Sequence, residues 1–179
     1  DARFLVAKDQ EQVDKALALK DEVALKKIIY WELKGLWGYQ QEVLADFASI
    51  LELGREHEKK HPGLFEQTLE AGSGQDVGAQ LYTSGTTGAA PKGVSLSQSN
   101  LISYARLWTA MNVHKSSDQY VANMVPAWCP GQWYGIVLPL LVGYTVNFPE
   151  SPETVQLDVR EVGSQVMPIG PRALENIAS

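Results

Sequence analysis

Thr83, Ser84, Thr86 and Thr87 contribute four hydroxyls, Gly85, Gly88 and Gly93 three glycines, and Lys92 one ammonium, all within one short stretch, Tyr82-Thr83-Ser84-Gly85-Thr86-Thr87-Gly88-Ala89-Ala90-Pro91-Lys92-Gly93-Val94. Glycines let successive backbone N–H groups approach an anion closely, and such runs form an anion-binding nest. Hydroxyls add donors for phosphate oxygens, and a lysine supplies a point charge for the outer phosphates. An apolar run at residues 77–83 precedes the stretch and reads as a buried strand, so the polar segment is the turn after a strand. A serine- and glycine-rich surface loop is the plainer alternative for such a composition. The segment is not a Walker A loop, because Pro91 stands where that pattern needs glycine before the lysine. Nor is there a G-x-G-x-x-G fingerprint: after Gly72-Ser73-Gly74, Val77 stands where the third glycine would fall, and the segment precedes a strand rather than following one.

Two other groups of residues carry chemical potential. His57-Glu58-Lys59-Lys60-His61 spells HExxH, which puts two histidines on one helical face beside a glutamate base. Charged neighbours crowd it, Pro62 ends the helix at once, and no further histidine follows at metzincin spacing; Glu66 or Glu70 would have to serve as third ligand. The expectation is a solvated helix end with no metal. Cys129 would need a nearby base to act as a nucleophile, and His114 sits in a loop before the next strand; a small buried hydrophobe is the expected role.

Short apolar runs and amphipathic stretches alternate around these residues, the pattern of βα units on a parallel sheet. Strands are expected at residues 3–7, 27–31, 77–83, 120–125, 144–148 and 165–169. Helices are expected at 9–23, with Asp9 as cap, at 42–60, 97–111, 132–141, 155–162 and from Pro171 onward. The helix at 42–60 is the clearest, since Val43, Leu44, Phe47, Ile50 and Leu51 fall in phase. The 179 residues suit a single domain, and 45% hydrophobic with 20% charged residues suits a globular one. A net charge of −6 and no basic cluster argue against nucleic acid as partner. One cysteine allows no internal disulfide, which points to a reducing, cytoplasmic setting. The longest apolar stretch, residues 136–142, is too short for a membrane span.

The run Tyr82 to Val94 resembles the signature phosphate loop of the adenylate-forming enzymes, the superfamily of acyl-CoA synthetases, luciferases and peptide-synthetase adenylation domains. One departure is that Ala89-Ala90 stand between Gly88 and Pro91, where the family usually has a single residue. The resemblance extends over nearly the whole chain and is to the long-chain fatty-acid-CoA ligase branch. It rests on residues 7–15, 26–30, 96–101, Ser151-Pro152-Glu153-Thr154 and 171–177, with Leu174 where that branch has tryptophan. The segment Val125-Pro126-Ala127-Trp128-Cys129-Pro130-Gly131-Gln132-Trp133 resembles the Pro-x-x-His region lining the acyl pocket, with Cys129 in the histidine's place and Trp133 where some long-chain members have an aromatic gate.

The resemblance implies an α/β fold: a three-layer subdomain with a mostly parallel sheet flanked by helices, the phosphate loop at the carboxyl end of a strand, forming part of the large N-terminal domain. Residues 1–179 would be one subdomain of it, without the carboxy-terminal domain, the adenine-contacting motif or the catalytic lysine. It implies ATP, Mg²⁺ and CoA, with a fatty acid as the acid substrate, and no catalytic residue within this stretch. Thr83, Ser84, Gly85, Thr86, Thr87, Gly88 and Lys92 would hold phosphates; Trp128, Cys129 and Trp133 would line the acyl pocket. The parent would have no transmembrane segment, and peripheral membrane contact stays open, as do another adenylate-forming acid ligase and a non-catalytic nucleotide- or acyl-binding module.

Overall fold

The apolar run Phe4–Ala7 forms strand β1, and Asp9 then turns the chain into helix α1, Gln10–Ala18, by accepting the Gln12 N–H at 3.1 Å. The computed structural model describes residues 2–83, 90–111 and 113–170, which fall into two units divided between Ala71 and Gly72. In the first unit, α1 stops at Ala18 rather than reaching Val23, because the Leu19 and Lys20 N–H groups fold back on Ala16 and Leu17. The chain returns through Lys26, whose N–H bonds the Arg3 carbonyl at 2.7 Å, and enters β2, Lys27–Tyr30. β2 runs parallel to β1, with Phe4 opposite Lys27 and Ala7 opposite Tyr30.

The helix expected at 42–60 is divided. Leu44–Asp46 is a strand, β3, parallel to β2 with Ile28 opposite Leu44, and only Phe47–Lys60 is helical, as α2. Val43 and Leu44 fit a helical period, but they also fit the free edge of β2, and pairing there shields both from water beside Ile28. Asp46 starts α2 by accepting the Ser49 N–H at 2.9 Å, which holds its carboxyl below the usual carboxylate range. His61 closes the helix, and Gly63, at φ +80° where a β-carbon would be strained, leads into α3, Leu64–Glu70, which the apolar pattern does not announce. Ala7, Val13, Ala16, Ile28 and Leu36 form the buried core of this unit.

The second unit begins with β4, Val77–Thr83, paired antiparallel with β5, Lys92–Ser97. Two expectations are corrected here. The polar turn joins two strands of a hairpin instead of leading straight into a helix, and β4 is largely exposed instead of buried, since β5 is its one strand partner among the described residues. Ser97 and Asn100 form a reciprocal capping box that starts α4, Gln98–Ala110, an arrangement worth about 1 kcal/mol. β6, Gln119–Val121, and β7, Thr145–Asn147, are parallel, with Tyr120 opposite Val146. The strand expected at 165–169 reduces to one bridge, Tyr120 to Val166, and α7, Val155–Val162, matches its expected bounds. The helix expected from Pro171 lies outside the described residues.

The single helix expected at 132–141 is three pieces: α5, Cys129–Gln132, a π-helical turn, Trp133–Val137, and α6, Leu138–Val142. The reason is Pro139. In the wide turn the Leu138 N–H reaches the Trp133 carbonyl, and the next donor, due at the Tyr134 carbonyl, is the proline nitrogen, which has no hydrogen. The Tyr144 hydroxyl donates to that freed carbonyl at 2.7 Å. Tyr144 is buried with Ala105, Tyr120, Leu138 and Val166 in the core of this unit, and burial pushes its phenol well up, so it remains a donor at every physiological pH. Tyr144→Phe would leave the half-buried carbonyl without a partner. A loss of about 1–3 kcal/mol in urea-unfolding stability is expected; an unchanged midpoint would show that water replaces the hydroxyl freely.

The architecture among the described residues is α/β, with two parallel sheets, one antiparallel hairpin and flanking helices. No helix among the described residues is long and apolar enough to cross a membrane.

Candidate functional site

The hairpin positions the ends of the polar loop. Thr83 closes β4 directly opposite Lys92, the first residue of β5, so both side chains stand on the same face of the ladder at its mouth. The Thr83 hydroxyl lies 3.5 Å from the Lys92 carbonyl, and Gly93 faces Tyr82 across the next rung. A β-carbon on Gly93 would meet the mobile end of the Gln80 side chain at 2.7 Å. Ser84, Gly85, Thr86, Thr87 and Gly88 lie outside the described residues; the hairpin holds the stem from which they spring.

The second segment, residues 125–133, closes on itself. The Trp128 N–H returns to the Val125 carbonyl at 3.0 Å, and the Gln132 side chain donates to the Pro126 carbonyl. A β-carbon on Gly131 would run into the Val125 carbonyl, which leaves glycine as the residue that lets this turn close. The result is an open cavity of ≈ 750 Å³ with Leu81, Thr83 and Pro91 of the hairpin on one side and Trp128, Cys129 and Pro130 on the other. Its walls are mostly apolar, with Tyr82, Thr83, Trp128 and Cys129 the lining residues that carry polar side-chain atoms. Three of the residues singled out from sequence, Thr83, Trp128 and Cys129, thus share one cavity.

Trp133 does not line that cavity. It stacks on Tyr104 of α4, ring centroids 3.7 Å apart and planes 19° from parallel, and its indole N–H is buried with no partner among the described residues. His114 is equally occupied with packing: it lies face to face with Trp108 at 5.9 Å and edge-on to Tyr134 and Tyr144, and burial pushes its imidazole below the ordinary value, against an opposing pull from Asp118. Tyr104, Trp108 and Tyr144 were not singled out from sequence. The alternation of Val94 and Leu96 with small polar residues was a signal that could have revealed β5.

Among the described residues no group of three or more histidine, cysteine, aspartate or glutamate side chains is placed to hold a metal ion. His57 and His61 are exposed on the last turn of α2 and its cap, ring centroids 4.4 Å apart. Purified protein is expected to carry no stoichiometric zinc; one tightly held zinc per chain, lost on His57→Ala, would establish a metal site there.

Residues 1–179 match the family model described as AMP-binding enzyme. The chain belongs to the AMP-binding enzyme family. Comparison with curated protein sequences gives no match. Among solved structures, the chain is similar to VinN in complex with 3-methylaspartate, at 22% identity and a TM-score of 0.64, over 99% of this chain and 41% of that one. The anthranilate CoA ligase AuaEII in complex with anthranoyl-AMP shares 25% identity at a TM-score of 0.60, over 84% of this chain and 26% of that one. A long-chain-fatty-acid-CoA ligase, FadD1 from Archaeoglobus fulgidus, shares 18% at 0.62, over 98% and 32%. The chain therefore spans less than half the length of these structures. In this AMP-binding chain, the glycine-hydroxyl loop is the turn of the β4–β5 hairpin, and the apolar cavity opens at its base.

Proposed function

We infer that this chain is the part of an ATP-dependent acid–CoA ligase that handles the phosphates and one wall of the acid pocket, in an enzyme of the long-chain fatty-acid type. The observation that carries this reading is the shared cavity: Thr83, at the root of the polar loop, and Trp128 with Cys129 face one apolar space. A site joining phosphate donors to an apolar cavity suits a reaction between a nucleotide and an apolar acid.

In that reaction a carboxylate oxygen attacks the α-phosphorus of ATP, the bond to pyrophosphate breaks, and acyl-AMP forms. The CoA thiol, losing its proton, then attacks the acyl carbonyl and AMP leaves. The loop's share is electrostatic: Lys92 and the donors of Thr83, Ser84, Gly85, Thr86, Thr87 and Gly88 would stabilise the negative charge that grows on the oxygens of the leaving pyrophosphate. Mg²⁺ enters as the complex of the nucleotide, where it would neutralise charge on the phosphates. The reaction runs in the cytoplasm on a fatty acid, ATP and CoA.

The likeness at 25% identity to the anthranilate CoA ligase favours a second reading, an aryl-acid ligase. Pyrophosphate exchange by the full-length parent, with hexadecanoate, octanoate, anthranilate, benzoate and aspartate offered in turn, separates the two. Exchange dependent on the fatty acids supports the first reading; exchange with the aryl acids alone supports the second. No exchange with any acid would leave a nucleotide-binding module and overturn both.

A further inference from the structure

The hairpin that carries the polar loop has two unlike rungs side by side. Thr83 pairs with Lys92 at the mouth, and Leu81 pairs with Val94 two residues further down. Side chains alternate along a strand, so Tyr82 and Gly93 belong to the other face and these four residues share one. Opposed side chains on one face stand about 5 Å apart, and the two rungs lie about 7 Å apart along the strands. Leu81 and Val94 both line the cavity they share with Thr83, Trp128 and Cys129. Neither belongs to the buried core of this unit, and Val94 is 42% exposed. An apolar pair left out of the core and set in a cavity wall is a surface for an apolar ligand.

We propose that Leu81 and Val94 are specificity-determining residues: their rung packs against the first carbons of the acid and sets how wide the acid can be beside its carboxyl group. This rests on the reading of the cavity as the acid pocket and of the polar loop as the phosphate site. With the outer phosphates at the Thr83 and Lys92 rung, an acid whose carboxylate meets the α-phosphorus lays its first carbons over the next rung. Every straight-chain acid brings the same methylenes there, so the rung does not measure length. It measures width, because a substituent on the carbon next to the carboxyl group meets the branched Val94 side chain.

The test is kcat/KM for octanoate, 2-methyloctanoate and hexadecanoate, with the KM for ATP, in the full-length parent and in Val94→Ala, Val94→Ile, Leu81→Val and Trp128→Ala. One methylene more or less in an apolar pocket changes selectivity by about tenfold or more. Val94→Ala should therefore raise the 2-methyloctanoate-to-octanoate ratio about tenfold, and Leu81→Val should raise it less. Val94→Ile, which keeps the branch that suits a strand, should lower it and covers the case in which the alanine variant folds poorly. The hexadecanoate-to-octanoate ratio and the KM for ATP should hold in all three. A merely structural role would lower all acids and ATP together and leave both ratios unmoved, which overturns the inference. If Trp128→Ala shifts either ratio and no variant of Leu81 or Val94 shifts the first, this inference alone is overturned. If no variant, Trp128→Ala included, shifts either ratio, the assignment of the cavity to the acid fails and the inference with it. If the parent activates no fatty acid, the proposed function fails as well.

Discussion

Thr86→Ala and Thr87→Ala in the full-length enzyme are expected to depress adenylation of every acid by a similar factor, on the order of 10–100-fold for each hydroxyl removed. A hydrogen bond from a neutral hydroxyl to a phosphate oxygen is charge-assisted and worth about 1.5–3 kcal/mol, which sets that range. The uniformity across acids follows from what the loop contains. Between Thr83 and Lys92 its only apolar side chains are Ala89, Ala90 and Pro91, so nothing long reaches toward an alkyl chain. The stem makes the effect large rather than diffuse: Thr83 and Lys92 face each other on a paired ladder, so the loop starts and ends at a defined place. The measurement is kcat/KM for ATP and for octanoate, dodecanoate and hexadecanoate in each variant. A changed chain-length preference with unchanged ATP dependence would remove the loop from the phosphates and assign it to the acid.

The second expectation concerns residues 1–179 produced by themselves: pyrophosphate exchange with ATP and hexadecanoate should stay at background. The chain spans 41% of VinN and 32% of FadD1. By the proposed reading it supplies the phosphate-facing loop and one wall of the acid pocket, and not the rest of the nucleotide site. Losing the groups that orient the nucleotide removes both positioning and preorganised charge, and each ~1.4 kcal/mol of that is tenfold in rate. Clear acyl-CoA formation by this stretch would overturn the view of it as a portion of a larger catalytic domain. Circular dichroism on the same sample separates an inactive fold from an unfolded chain.

Much of the local order was legible from residue types. Asp9 and Ser97 announce helix starts because a short side-chain oxygen can take up a free N–H of the first turn, and both do so. Strand β4 and helix α7 appear at the bounds their apolar spacing indicated. The places that resisted are those where one pattern serves two structures. Val43 and Leu44 suit a helix and a strand equally, and a free parallel edge beside Ile28 settled the matter. Lys92 to Ser97 hid a strand behind small residues, since Gly93, Ser95 and Ser97 bring no β-branched bulk to signal one. Between Cys129 and Val142 an apolar run with one proline predicts a helix with a defect; the kind of defect depended on whether a donor stood ready for the Tyr134 carbonyl, and Tyr144 supplied it from β7's approach.

The candidate site divides along the same line. The glycines, hydroxyls and lysine along residues 82–94 suggest phosphate chemistry because adjacency in the chain alone brings them together, and the resemblance carried by that run pointed to the family to which the chain belongs. The cavity was beyond that reach. Thr83 and Cys129 are far apart in the chain, and their meeting depends on hairpin pairing at one end and on Gly131 letting the Val125 turn close at the other. Trp133 shows the converse: four residues from Cys129, it turns away to stack on Tyr104, because a wide helical turn forced by Pro139 and a flat ring on α4 outweigh nearness in sequence.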